Sequence, residues 1–231
     1  MRVHVIRNAW FEGPGAIGEW AAARGHAVTE CLASEESYPA PEDVDLLVVL
    51  GGPMSADDHE SNPWLETEKR FLLRLIEEGV PVLGICLGAQ ILAEVLGGTV
   101  RRGSEPEIGF YPVFRPQTAR TRRVLSAIPD GMVVGHWHGD TFDLPAGVDS
   151  ELSSEVTDNQ AFVSQNGRLV GLQCHLEWTA ESLDRMLAEC AEDLTVDLPH
   201  VMASGEMREM AREHLLAGHR ALCSVLDELA G

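Results

Sequence analysis

The first hundred residues alternate short buried runs with amphipathic stretches. The unbroken run LLVVL at 46–50 is typical of a parallel strand covered on both faces. In 63–78 the apolar residues recur with helical spacing. The predicted strands are 3–6, 27–32, 46–50 and 80–86, and the predicted helices are 17–24, 63–78 and 87–98. This order, β-α-β-β-α-β-α, predicts an α/β protein with a mostly parallel, doubly wound sheet.

Period-2 patterns dominate residues 99–175 and predict additional, partly antiparallel strands on the same sheet. These runs are GFYPVF (109–114), GMVVGHWH (131–138), AFVSQNG (161–167) and RLVGLQCH (168–175). Two helical stretches follow, at about 180–194 and 204–229, separated at Pro199. We therefore expect a three-layer (flavodoxin-like) α/β fold with helices on both faces. The chain, 1–231, is expected to form one domain, with about 180–231 as a helical C-terminal extension.

Charge and composition narrow the class of protein. The chain of 231 residues has 17 Lys and Arg against 37 Asp and Glu, a formal charge of −20, which disfavours binding to nucleic acid or to an anionic membrane. Its five cysteines form no CxxC pair, which favours a reducing compartment. The N-terminus resembles no secretory signal, and the apolar stretch 80–100 is interrupted by Pro81, Gln90 and Glu94. We predict a soluble, cytoplasmic protein without a membrane partner.

The segment VLGICLGAQ at 82–90 holds the candidate nucleophile, Cys86. A hydrophobic strand runs through G-x-C-x-G directly into a helix, which is the pattern of a nucleophile elbow. A thiol at a helix N-terminus is favoured as thiolate, and the free N–H of Leu87 could donate to an oxyanion. The alternative is a small buried cysteine at a tight turn.

A thiolate in acyl transfer needs an imidazole and a partner that orients it. His175 ends a hydrophobic strand, and Glu177 lies two residues on, so both side chains can point to one side. The competing pair is His136 and His138, for which a metal site with Asp140 as third ligand is conceivable. We favour a pocket-lining role for that pair, because no fourth ligand is spaced nearby.

Together, the elbow, the H-x-E pair and the loop G51-G-P53 resemble the class I (triad) glutamine amidotransferases. The stretches H136-W-H-G-D140 and E107-I-G-F resemble the GMP-synthetase type of glutaminase. The resemblance implies Cys86 as nucleophile, His175 as general base and then acid, and Glu177 as its orienting partner. It further implies an oxyanion hole from the N–H groups of Gly52 and Leu87, a glutamine contact at Gln90, and a hold on the substrate's amino-acid end by backbone near Gly109 and Phe110.

The activity implied by the resemblance is attack on the side-chain amide of glutamine, with ammonia released and a γ-glutamyl thioester hydrolysed by water. No cofactor and no metal is expected. Neither G-x-x-x-x-G-K-[ST] nor G-x-G-x-x-G occurs, so either a separate synthetase subunit supplies the site for an ammonia acceptor, or the chain acts alone on glutamine or a γ-glutamyl compound. Two alternatives stay open: a γ-glutamyl peptidase or hydrolase acting on another γ-glutamyl compound, and a catalytically idle regulatory or binding subunit.

Overall fold

The computed structural model describes residues 1–120, 122–164 and 166–231, and within them nine strands and five α-helices. The strands are β1 Arg2–Arg7, β2 Ala27–Leu32, β3 Leu46–Val49, β4 Val82–Ile85, β5 Thr99–Val113, β6 Met132–Asp143, β7 Ser150–Leu152, β8 Ala161–Val163 and β9 Leu169–Leu172. The helices are α1 Ala16–Ala23, α2 Trp64–Glu77, α3 Leu87–Val95, α4 Ala180–Glu189 and α5 Ser204–Ala230.

The main sheet has seven strands in the order β2-β1-β3-β4-β9-β8-β7. The five strands from β2 to β9 are parallel, and β8 and β7 are added antiparallel at one edge. The chain adds β2 on one side of β1 and then β3 and β4 on the other side, so a topological switch point lies between β1 and β3. At such points α/β sheets bind ligands beyond the carboxyl ends of the strands. The predicted α/β fold with a mostly parallel sheet is confirmed.

Two hydrophobic layers cover the sheet. Every residue of β3 and β4 is buried, so their apolar side chains alternate between both layers. Helices α1 and α5 contribute to the cluster that includes Val48 and Ile85, while α2 and α3 contribute to the one that includes Leu47 and Val82. The apolar stripe of α5, with Leu222 and others, is therefore core.

The prediction for residues 99–143 was wrong in one respect. Strands β5 and β6 do not join the main sheet but pair with each other as a separate antiparallel ribbon. The long pairing of β5 with β6 provides hydrogen bonds for the backbones of both strands, and in the main sheet β9 is the strand that pairs with β4. Strand β5 also begins ten residues earlier than the predicted run at 109–114. The prediction missed this first part because it is polar and shows no alternation of apolar residues. Gln165, inside the predicted strand 161–167, lies outside the described residues.

The C-terminal segment crosses the ribbon before it joins the core. Helix α4 starts at a capping box between Thr179 and Ser182 and ends at Glu189, so the predicted helix to 194 gives way to a short 3-10 turn at 191–195. Beyond it the chain is bonded to Ile108 of β5 through the carbonyl of His200. Within the described residues, no helix is long and apolar enough to cross a membrane.

Candidate active site

Cys86 occupies the sharp turn between β4 and α3. Its φ is +52°, a left-handed conformation that costs a non-glycine residue about 1–3 kcal/mol. The turn requires the two flanking glycines, because a Cβ at Gly84 would strike the carbonyl of Gly88, and a Cβ at Gly88 would strike that of Val49. The thiol donates to the carbonyl of Trp137, with Sγ 3.6 Å from the oxygen. The local sequence thus holds the sulfur at the carboxyl end of β4.

His175 and Glu177 form a tight pair on the segment after β9. The Nδ1–H of His175 donates to Oε1 of Glu177 at 2.6 Å, and the N–H of Leu176 donates to Oε2 at 3.0 Å. The indole of Trp178 stacks on the imidazole, with ring centroids 4.3 Å apart. Because Nδ1 is committed to the carboxylate, Nε2 is the nitrogen available to Cys86, which lines the same cavity as His175.

The electrostatics of this pair favour a protonated imidazole. Burial alone would lower the pKa of His175, but the negative charge of Glu177 and its hydrogen bond to the ring, together with the neighbouring Cys86 thiol, outweigh it and hold the pKa well above its usual value. A protonated imidazole beside a thiol stabilises the thiolate. The arrangement can therefore support a thiolate–imidazolium pair inside a buried site.

The two residues expected to supply oxyanion N–H groups, Gly52 and Leu87, lie in contact beside the cavity that Cys86 lines. Leu87 is the first residue of α3, so its N–H has no acceptor within the helix. Gly52, in the loop after β3, packs so closely on Leu87 that a Cβ on it would lie 3.1 Å from Cδ2 of Leu87. The structure therefore brings together the two residues that the resemblance assigns to an oxyanion hole.

Gln90 lies one turn into α3 and is buried at the floor of the cavity. Its amide nitrogen donates to Oε1 of Gln173 at 3.1 Å and to the carbonyl of Asp140 at 3.4 Å. The carboxylate of Asp140 accepts from Ser55 at 2.8 Å and pairs with Arg102 at 3.2 Å. Asp140 is thus engaged at the cavity rim and is turned away from a shared site with the two histidines.

The structure does not bring Gly109 and Phe110 to the cavity. Phe110 is buried against Trp178, and its N–H points to the sulfur of Met202 at 3.3 Å. Gly109 has φ +146° and packs under the same methionine. The preceding residue, Ile108, lines the cavity instead.

One functional candidate, Glu12, was missed by the sequence analysis. It lines the cavity in the loop after β1, and its Oε2 lies 2.9 Å from where a Cβ on Gly51 would sit. The pKa of Glu12 is raised to about 7, mainly by burial; the nearby charge of Glu177 adds to this rise, and that of His175 opposes it. Its position could have been found, because loops that follow parallel strands meet at the same edge of the sheet.

The cavity has a volume of about 640 Å³ and a second cysteine in its wall. Burial raises the pKa of Cys190 to about 11, so this thiol is a poor nucleophile near neutral pH. The rest of the wall includes apolar side chains, among them Phe11, Met186, Val196 and Leu198, and the carboxylates of Glu192 and Asp193. The cavity therefore joins the candidate nucleophile to an outer part lined by both apolar and acidic side chains.

Comparison with known sequences agrees with this geometry. The family model for class I glutamine amidotransferases matches residues 24–193. The glutamine amidotransferase-like protein YfeJ of Salmonella typhimurium is 32% identical over 200 residues, which cover 84% of this chain and 83% of that protein. A glutamine-hydrolysing GMP synthase of Streptomyces avermitilis is 34% identical over 132 residues, 57% of this chain but 23% of the synthase.

Solved structures give the same result over the whole chain. A glutamine amidotransferase of Thermotoga maritima superposes with a TM-score of 0.90 at 31% identity, covering 99% of this chain and 97% of that one. A glutamine amidotransferase of Methylobacillus flagellatus also reaches 0.90, at 28% identity and with 99% and 93% coverage. On the family match, the YfeJ relationship and these structures, the chain belongs to the class I glutamine amidotransferases.

Proposed function

We propose that this protein hydrolyses the side-chain amide of glutamine with a Cys86–His175–Glu177 triad. The observation that carries the proposal is a cysteine held at left-handed φ on a strand–helix turn, sharing a cavity with a histidine whose other nitrogen is bonded to a carboxylate at 2.6 Å. Nucleophile, base and orienting carboxylate in this relation make a triad of the acyl-transfer type.

In the first half-reaction the Cys86 thiolate attacks the amide carbon of glutamine and forms a C–S bond. The N–H groups of Gly52 and Leu87 receive the oxyanion, and one such donor lowers the barrier of comparable enzymes by about 2.7–4 kcal/mol. Protonated His175 then gives its Nε2 proton to the amide nitrogen, the C–N bond breaks and ammonia leaves. The products are a γ-glutamyl thioester and a neutral imidazole.

In the second half-reaction His175 takes a proton from water, and the resulting hydroxide adds to the thioester carbon. Collapse of this intermediate breaks the C–S bond and expels the Cys86 thiolate. Glutamate is released, and the imidazolium that faces the thiolate is restored. Glu177 keeps the proton on Nδ1 throughout, so that Nε2 is the nitrogen that exchanges protons.

A second candidate substrate class is favoured by the cavity itself. Its volume of about 640 Å³ leaves space beyond a bound γ-glutamyl group, and the cavity lining includes apolar side chains such as Met186 and Leu198 as well as Glu192 and Asp193. A γ-glutamyl amide with a leaving amine larger than ammonia would place that amine there. Comparing turnover of glutamine with that of γ-glutamyl amides separates the two substrate classes.

An assay of ammonia release can also test whether a partner subunit is required for activity. In the GMP synthase of Streptomyces avermitilis the matched region is about a quarter of the protein. If this glutaminase serves a separate synthetase subunit, we expect ammonia release by the free chain to be slow and to rise when that subunit is added. Rapid turnover by the free chain would mean independent hydrolysis.

The test of the triad is labelling with a diazoketone analogue of glutamine, followed by mass-spectrometric mapping. We expect one adduct, on Cys86, and protection by excess glutamine. Cys86→Ala should remain unlabelled and lose at least about 10⁴-fold in ammonia release. Cys190→Ser is the matched control, because its cysteine lines the same cavity, and it should still be labelled at Cys86.

Adducts on any of the other four cysteines instead would refute the nucleophile assignment: Cys31, Cys174, Cys190 or Cys223. Retained ammonia release in Cys86→Ala would do the same. Complete failure of Cys86 to react in the folded wild-type protein would favour the third possibility, an idle member of the family.

A further inference from the structure

A second buried group of histidine and glutamate lies beside the candidate active site and takes no part in the mechanism above. Glu107 of β5 stands directly opposite His138 of β6 in the ribbon, and His136 is two residues away on the same face. The exposed fraction of these three side chains is 3% or less. Their ligand atoms all lie within 4.8 Å of one another.

The outer hydrogen bonds of the two histidines determine which nitrogen faces Glu107. Nε2 of His136 donates to the carbonyl of Tyr111 at 3.2 Å, and Nδ1 of His138 donates to the carbonyl of Asp140 at 3.1 Å. Because a carbonyl oxygen only accepts, these nitrogens carry the hydrogens of the neutral rings. Nδ1 of His136 and Nε2 of His138 therefore present lone pairs inward, an orientation that backbone carbonyls commonly impose on metal-binding histidines.

These lone pairs converge on a carboxylate oxygen. Oε2 of Glu107 lies 3.7 Å from Nδ1 of His136 and 3.3 Å from Nε2 of His138. Within the described residues, Nδ1 of His136 has no hydrogen-bond partner, and neither has Oε1 of Glu107. Oε2 of Glu107 accepts from Ser154 at 2.9 Å and from the amide nitrogen of Gln160, which also donates to Nε2 of His138. Within this group of described residues, the lone pairs left without a donor are those on Nδ1 of His136 and Oε1 of Glu107, and a cation bound between the rings and the carboxylate would satisfy them.

The spacing suits a tetrahedral ion. With bonds of about 2.0–2.2 Å, neighbouring ligand atoms around such an ion lie about 3.3–3.6 Å apart. Gln160 offers a fourth ligand, since its amide nitrogen lies 2.8 Å from Oε2 of Glu107 and 3.2 Å from Nε2 of His138 while its amide oxygen is buried without a partner. Half a turn of the amide places the oxygen at the position now held by the nitrogen.

We propose that Glu107, His136 and His138 bind a divalent transition-metal ion, with Gln160 or water as the fourth ligand. Two imidazoles and one carboxylate match zinc better than calcium or magnesium, which prefer all-oxygen sites. The sequence offered Asp140 as the third ligand, but its carboxylate is bound to Ser55 and Arg102, and Glu107 takes that place.

Such an ion would stiffen the strand that lies against the catalytic residues. Gly135 exchanges backbone hydrogen bonds with His175 at 2.7 and 3.2 Å, and the carbonyl of Trp137 accepts from the Cys86 thiol. The two ligands of β6 alternate with these two residues along the strand. The ion is therefore a structural element that holds β5 and β6 together beneath the reacting groups.

The test is cobalt binding and metal analysis on the full chain. Purified protein is stripped with a chelator, and Co²⁺ or Zn²⁺ is added. We expect one equivalent to bind, a rise in Tm that Mg²⁺ does not reproduce, and the visible absorption of tetrahedral Co²⁺. The sulfur-to-cobalt charge-transfer band should be absent, since ligation by Cys86 or Cys31 would produce one.

Variants assign the site. Glu107→Gln and His138→Gln should each weaken metal binding by at least about tenfold. His200→Gln is the matched control, because His200 forms a comparable pair with Glu105, at 3.1 Å, near the surface. It should bind as the wild type does. The proposal is overturned by a wild-type chain whose Tm does not respond to Zn²⁺, by a thiolate charge-transfer band, or by unchanged affinity in folded Glu107→Gln. Because no readout involves glutamine, failure here leaves the triad untouched.

Discussion

The two buried groups that adjoin β6 contain the same residue types but hold their protons in opposite ways. In the proposed catalytic group, Nδ1 of His175 is bonded to the carboxylate of Glu177, and the pKa of His175 is raised. In the second group, Nε2 of His136 is bonded to a backbone carbonyl, and burial lowers the pKa of that histidine to about 4. At His175 the charge and hydrogen bond of the adjacent carboxylate outweigh burial, whereas at His136 burial dominates and the inner nitrogen keeps its lone pair.

This difference matches the surroundings of each group. The inner nitrogen of His175 faces a cavity with a thiol, where a proton can be passed on. The inner nitrogens of His136 and His138 face the buried carboxylate of Glu107, and of these three side chains only His138 reaches the cavity wall. One pair of residue types can thus serve acid–base chemistry or cation binding, according to hydrogen bonds that are set by the backbone.

The largest effect should come from removing the carboxylate that distinguishes the catalytic group. In Glu177→Gln the amide can donate to Nδ1, which moves the ring hydrogen to Nε2 and leaves no base for Cys86. We expect kcat for ammonia release to fall about 10³–10⁴-fold. Glu105→Gln, which alters the surface pair with His200, should leave kcat near the wild-type value. Equal loss in both variants would contradict this account.

The same substitution should change how stability depends on pH. Because the folded-state pKa of His175 is raised above the unfolded value of about 6.5, its proton stabilises the fold fully below that pH, and this stabilisation is lost as pH rises through the folded-state pKa. Its slope is at most about 1.4 kcal/mol per pH unit. Denaturant titrations above pH 6.5 should show a smaller slope for Glu177→Gln. An unchanged slope would mean that Glu177 does not hold the proton.

A glycine between the two groups allows one to be disturbed without the other. A Cβ at Gly135 would lie 2.5 Å from the ring of Trp178, which stacks on His175. Gly135→Ala should therefore lower kcat and destabilise the fold by about 1–3 kcal/mol, while Co²⁺ binding at the second group persists. At Gly139, on the same strand, a Cβ would meet only the movable end of Arg102, so Gly139→Ala should be nearly as stable as the wild type.

Thermal unfolding and Co²⁺ titration of both alanine variants provide the comparison. Loss of metal binding in Gly135→Ala would show that the two groups behave as one unit. Loss of neither activity nor stability would show that Trp178 can move away at no cost, and that its stacking does not position His175.

How far the sequence could predict these two groups depends on how many residues separate their members along the chain. The whole elbow around Cys86 is contained in nine consecutive residues, 82–90. Gly84 and Gly88 could be recognised in the sequence as positions where the backbone passes too close to other backbone atoms for a side chain. The pair His175 and Glu177 needs only strand periodicity. Both could therefore be assigned as candidates from local pattern, as could the parallel α/β sheet.

The second group could not be assigned in the same way, because Glu107 meets His138 only through the register of the ribbon. That register includes an irregularity between Arg102 and Glu107, which depends on tertiary packing. The assignment of Gly109 and Phe110 to substrate rested on resemblance, and here the C-terminal segment around Met202 covers them. The sequence pattern of that segment gives its helices but not where it crosses β5.

The smallest predicted effect concerns Glu12, which adds a second carboxylate to the catalytic group alone. Its pKa of about 7 means that it becomes anionic near neutral pH, where its charge favours the imidazolium of His175. Glu12→Gln should reduce kcat by about tenfold or less and remove an inflection near pH 7 from the pH profile of kcat. Glu105→Gln should keep that inflection. A raised KM for glutamine with an unchanged profile would instead assign Glu12 to the substrate's ammonium group, and the contrast between the two groups would then rest on Glu177 alone.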